Sequence, residues 1–155
     1  MTAVWKKLKK DEKGFTLIEL LAVIVILGII AAIAIPLIGN VMSKSREKSD
    51  FQTARQIYDA ARLYVTNEKN GDFQETGGLD ISIDDLKDTG YLDSINLPST
   101  KAAITDGKVR FQADGALQYV QIIAETTKYY AGPDIMKGEG ASVTTSPGPT
   151  PSPST

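Results

Sequence analysis

Few residues in this chain have types and spacing that bear on chemistry. The sequence contains no Cys and no His. That excludes a disulfide framework, a zinc finger, a Cys or His nucleophile and a His general base. Any catalysis would fall to carboxylates, Lys, Tyr or hydroxyls. The acids Asp80, Asp84, Asp85 and Asp88 crowd one stretch. They lack the D-x-[DN]-x-[DN]-G order of a calcium loop. Asp84 and Asp85 equally suit a helix N-terminus, where a negative charge meets free N–H groups. No phosphate-binding loop, Ser-based triad or pair of catalytic carboxylates can be argued. Tyr129-Tyr130 reads as sheet or core edge. Glu19 stands apart, because it is a lone acid inside an apolar block. A carboxylate inside a bilayer costs about 2.5–3.5 kcal/mol. It therefore calls for a cationic partner, or it snorkels to the interface.

The element that carries Glu19 is Phe15–Ile38, in which 20 of 24 residues are apolar. From Leu20 to Ile38 nothing is charged. At helical rise that run makes roughly 28 Å, close to the thickness of a bilayer interior. A core helix of a soluble protein is rarely apolar on every face for so long. The flank before it carries Lys6, Lys7, Lys9, Lys10 and Lys13. Such a flank stays in the cytoplasm, so the remainder faces outward. Pro36 and Gly39 interrupt the block near its end. A kink or local melting is expected there rather than a stop. Periodicity resumes with Phe51, Ala54, Tyr58, Ala61 and Val65 at spacings of three and four, with Ile57 and Tyr64 beside them. Arg46, Asp50, Arg55, Asp59 and Arg62 are assigned to the opposite, polar face. The pattern predicts one long helix from about Phe15 to about Asn67, amphipathic in its second half.

The 155 residues suggest one domain, with an appendage. Beyond Gly39 only about a third of the residues are apolar, enough for a small core. The cover for the amphipathic stripe should come from Gly71–Ala131. Ser82 can cap a short helix, Ile83–Thr89, that ends before Gly90. Asp106-Gly107 reads as a hairpin turn between Ala102–Thr105 and Lys108–Ala113. Asp114-Gly115 is a second turn signal, followed by strand-like Leu117–Glu125, and Lys128–Ala131 adds or extends a strand. The fold class expected is α+β: a long N-terminal helix on an antiparallel sheet of about three or four strands. Ser142–Thr155 holds four Pro, eight Ser or Thr and no charge, so it is read as disordered. The divisions are thus 1–14, a basic leader; 15–38, a membrane-spanning segment; 39–70, the amphipathic half-helix; 71–141, a small head; and 142–155, the tail. Net charge is −2, but residues 1–14 carry +3 and residues 71–155 carry −6. An acidic head works against non-specific nucleic-acid binding.

The run Lys13-Gly14-Phe15-Thr16-Leu17-Ile18-Glu19 joins a basic leader to the apolar block, with Gly at the junction and one acid just inside. It resembles the N-terminal signature of the type IV pilin family, which includes the pseudopilins of type II secretion and of competence. The resemblance is close over about Lys13–Asn40, where Gly28 and Pro36 also fall where many pilins have Gly and Pro. The remainder resembles the family only in plan. The resemblance implies that a prepilin peptidase cuts after Gly14 and that Phe15 becomes the N-methylated terminus. It implies that Glu19 is needed for subunit assembly, paired with the new amino group of its own chain or of a neighbour. It further implies that the helix loosens between Gly28 and Pro36 in the filament. The implied partners are other copies and pilin-like subunits, the peptidase, an inner-membrane assembly platform, and the lipid bilayer before assembly. Nucleic acid enters only as a partner within a competence filament. No cofactor is implied, and the chain is a substrate of an enzyme rather than an enzyme. The implied location is a single-pass membrane precursor, then a cell-surface filament or pseudopilus.

The missing Cys pair departs from the many pilins that close a C-terminal loop with a disulfide. Two other readings stand beside this one. Ala32-Ile33-Ala34 also spells a secretory cleavage site that would free a domain starting at Ile35. Against that, the apolar block exceeds the usual ~7–15-residue signal core and Glu19 interrupts it. The second is a monomeric, anchored or secreted binding domain. Lys44, Arg46 and Lys48 would lie just outside the membrane, near lipid head groups or a neighbouring subunit, or simply on a solvated face.

Overall fold

The computed structural model describes residues 16–148. The expected leader with Gly14, the adjoining Phe15, and residues 149–155 of the expected tail lie outside the described residues. The chain divides into two compact units, Met1–Val41 and Met42–Thr155.

Helix α1, Leu17–Glu68, has 52 residues and agrees closely with the helix predicted from periodicity. It passes through Gly28, Pro36 and Gly39 without a break in helical assignment. In the first unit it buries none of its described residues; all are exposed except the half-buried Ala34.

The second unit is a four-stranded antiparallel sheet packed on the later turns of α1. Its strands are β1 (Leu79–Ser82), β2 (Asp106–Phe111), β3 (Leu117–Ile123) and β4 (Thr127–Ala131), in the order β1-β2-β3-β4. Helix α2 (Ile83–Asp88) follows β1, and α3 (Gly132–Lys137) follows β4. The predicted Ser82 cap is formed: its hydroxyl accepts from the Asp84 N–H at 3.1 Å. Strand alternation places one face of the sheet toward α1. The cross-strand row Ile81, Val109, Val120 and Tyr130 is in register and wholly buried. It meets the stripe Phe51, Ala54, Ile57, Tyr58, Ala61 and Val65 in one core cluster. Phe51 stands edge-on to Tyr130 with ring centroids 6.1 Å apart, and Tyr58 tilts against Phe111 at 6.2 Å.

Three features differ from the sequence reading. Asp106-Gly107 is not a hairpin turn but the start of β2, paired with Ile123 and Ile122. Glycine serves there because the strands approach closely: φ is +148°, and a Cβ would run into the Gln121 carbonyl and meet Ile83 Cδ1 at 2.8 Å. The hairpin between β2 and β3 is closed at Asp114-Gly115, where the Gln112 N–H donates to the Ala116 carbonyl at 2.8 Å. Second, β1 and α3 were not anticipated. Both are short, and β1 ends at the residue that also caps α2. Third, Asp50 does not lie on a polar helix face but is 1% exposed. At the start of the tail, Val143 exchanges backbone hydrogen bonds with Tyr129 of β4, both 2.8 Å, and Gln118 Nε2 donates to the Pro147 carbonyl at 3.0 Å.

Candidate functional site

The exposed half of α1 is the site the sequence singled out. Thr16 precedes the helix and Glu19 sits in its first turn. The Thr16 N–H donates to Glu19 Oε2 at 2.8 Å, and the Glu19 N–H lies 3.4 Å from Thr16 Oγ1. This reciprocal pair is a capping box, in which a Thr and a Glu three residues on satisfy each other's backbone donors. The T-x-x-E spacing was its sequence signal, and charge reasoning alone passed over it. Glu19 thus has a hydrogen-bond partner within its own chain. Its carboxylate also sits where the free N–H groups of the helix favour negative charge.

Above this cap the helix is apolar on every side and covered on none. Leu17 is 87% exposed and Ile35 70%, and fifteen large apolar side chains between Leu17 and Ile38 stand open. Each would gain about 1.5–3 kcal/mol on full removal from water. Together they make an aqueous resting state untenable and demand a lipid or protein cover. Among the described residues this is one helix long and apolar enough, by length and composition, to cross a membrane. Gly28 lies within this surface, and a Cβ built there meets nothing within 4 Å. Gly14 and Phe15 lie outside the described residues.

The other candidates sit in the second unit and are not gathered into a reactive group. Asp80 accepts from Lys108 Nζ at 2.9 Å and pairs with Arg110 Nη1 at 2.9 Å. Burial alone would raise its carboxyl, but the hydrogen bonds from Lys108 and Arg110 hold it below the usual carboxylate range. Asp84 lies 3.4 Å from Lys87 Nζ. Among the described residues no cluster of three acids is placed to hold a metal ion. Tyr130 is core, as predicted, and burial, ahead of the nearby Asp50 charge, pushes its hydroxyl well above the ordinary phenol range.

One polar centre was missed by sequence reading. Lys128 and Tyr130 alternate on β4, so both face α1. Lys128 Nζ therefore meets Asp50 Oδ2 at 2.7 Å, and the Ser99 N–H donates to Asp50 Oδ1 at 2.8 Å. Lys128 also donates to Ser99 Oγ at 3.3 Å. This network ties helix, loop and strand together. A buried charge held by a fixed counter-charge is a structural clamp.

The comparisons bear on the apolar end. Residues 9–35 match the family model described as the prokaryotic N-terminal methylation motif. The chain thus carries this methylation motif at its N-terminal end. Curated relatives match over part of the chain. A type IV major fimbrial protein of Dichelobacter nodosus is 39% identical over 64 residues, 41% of each chain. Fimbrial protein EcpC of Eikenella corrodens is 49% identical over 61 residues, 39% of this chain and 40% of that protein. The type IV major alpha-pilin of Moraxella bovis is 40% identical over 75 residues, 44% of this chain and 47% of that protein. The chain thus matches less than half the length of these relatives. No solved structure matches the chain significantly.

Proposed function

We propose that this chain is a structural subunit of a type IV pilus or pseudopilus, made as a membrane-anchored precursor. The observation that carries this is the uncovered apolar half of α1, most of which lies within the methylation-motif match at residues 9–35. In the precursor, lipid covers that surface. After assembly, the same surface of neighbouring subunits covers it, with the head domains outside. Prepilin peptidase cuts after Gly14 and methylates the new amino group of Phe15. Glu19 then exchanges or shares its capping contact with that amino group, of its own chain or of a neighbour, and so sets the axial register. Gly28 and Pro36 are the points at which the helix loosens in the filament. Gly28 suits this because it lowers helix stability by about 1 kcal/mol relative to Ala. Pro36 suits it because it removes one helix hydrogen bond. The subunit works with other pilin-like subunits and an inner-membrane assembly platform, in a surface pilus, a type II secretion pseudopilus or a DNA-uptake competence filament.

The test is the mass of the mature N-terminal peptide from cells with and without the processing peptidase. An N-methylated Phe15 in the first and intact precursor in the second is the expected result. A mature terminus at Ile35 would overturn the proposal, because the chain would then be an ordinary secreted protein.

A further inference from the structure

An open cavity of about 370 Å³ lies in the second unit, lined by Lys44, Glu47, Lys48, Phe51, Glu139 and Gly140, among others. Residues 44, 47, 48 and 51 fall at helical spacings of three and four, on one face. They continue the stripe that farther along α1 is buried and apolar. Here the stripe changes to charge. Phe51, only 2% exposed, forms the floor, while Lys44, Glu47, Lys48 and Glu139 are exposed around it. Two cations and two anions thus surround one cavity, yet none of the four is in the ion pairs formed among the described residues. Gly140, beside the cavity, packs so closely on α3 that a Cβ would stand 2.5 Å from Asp134 Cβ.

We infer that this cleft holds the phosphoethanolamine headgroup of a membrane lipid while the precursor waits in the bilayer. Lys44 and Lys48 take the phosphate, and Glu47 and Glu139 take the primary ammonium. A purely anionic headgroup would leave both acids facing like charge. A cavity of this size is within the usual range for small-ligand sites. The source is a lipid rather than a soluble compound because of chain position. Lys44 is the first charged residue after Glu19, and the uncharged run between them is as long as a bilayer span. Basic side chains at the end of a span reach headgroup level. This inference rests on the membrane-anchored reading above.

The full chain would be placed in nanodiscs of phosphatidylcholine alone, or with phosphatidylethanolamine or phosphatidylglycerol added. Amide chemical shifts of Lys44, Lys48, Glu139 and Gly140 report occupancy, and exchange protection of residues 17–41 reports insertion. Phosphatidylethanolamine is expected to shift these amides about five-fold more effectively than phosphatidylglycerol. Glu139→Gln should erase that preference, and Lys48→Gln should weaken both lipids. Equal effects of the two lipids, or a preference that survives Glu139→Gln, would overturn the inference and leave membrane anchoring intact. Equal shifts from soluble glycerophosphoethanolamine would overturn the lipid as occupant. Loss of the chain from the discs would overturn anchoring and headgroup capture together.

Discussion

Replacing Asp50 by Ala is the sharpest perturbation of the head. Asp50 is 1% exposed and meets both Lys128 and the Ser99 N–H. Removing one partner of a buried ion pair costs about 3–5 kcal/mol, because the other charge is left uncompensated. Lys128 keeps 21% of its side chain exposed, so water relieves part of that cost. The lower end, about 3 kcal/mol, is therefore expected for Asp50→Ala. A small domain is stable by about 5–15 kcal/mol, so this is a large share. It should lower the melting midpoint of a head of this size by at least about 12 °C. Asp50→Asn keeps an acceptor for the Ser99 N–H and should cost less. Adding Lys128→Met to Asp50→Ala removes the orphaned ammonium and should restore part of the loss. The assay is thermal unfolding of the full chain in detergent micelles, followed by near-UV circular dichroism of the tyrosines. Amide exchange at Ser99 reports the local effect. A loss below about 1 kcal/mol, or a double variant as unstable as the sum of the singles, would refute the clamp.

Other predictions concern both ends of the molecule. Glu19→Gln keeps the capping-box acceptor and loses the charge, whereas Glu19→Ala loses both. If charge sets subunit register, both variants insert in the membrane and neither forms filaments by electron microscopy; filaments from Glu19→Gln would assign the role to capping instead. Gly107→Ala drives a methyl group into the Gln121 carbonyl across β2 and β3, and a loss of about 2–3 kcal/mol in denaturant unfolding is expected. Unchanged stability there would mean that the two strands separate easily. Asp80 has a folded-state pKa below its unfolded value of about 3.9. Its contribution is therefore full above that value and fades as pH falls through the folded one. Because the pair is partly exposed, the effect is modest. Asp80→Asn should flatten the melting-temperature profile below about pH 4, and an unchanged acid limb would count against the Asp80 pair.

The sequence by itself determined the features that depend on local or one-dimensional patterns. The apolar block, the long helix, its buried stripe from Phe51 to Val65, the Ser82 cap and the Asp114-Gly115 turn were all legible. Each depends on residues within one or two turns of one another. The motif around Gly14, Phe15 and Glu19 was also legible as a local run of residues, and residues 9–35 match the methylation-motif family model. The tertiary structure decided what depends on contacts between distant segments. Asp106-Gly107 has the composition of a turn, yet it became a strand because β3 pairs along it. Asp50 has the composition of a helix surface, yet it is buried because β4 alternation turns Lys128 toward it across 78 positions of sequence. The gathering of Lys44, Lys48 and Glu139 around one cavity likewise needed α3 to bring residues 138–140 back to α1. Helical periodicity says which residues share a face. Only packing says what that face meets.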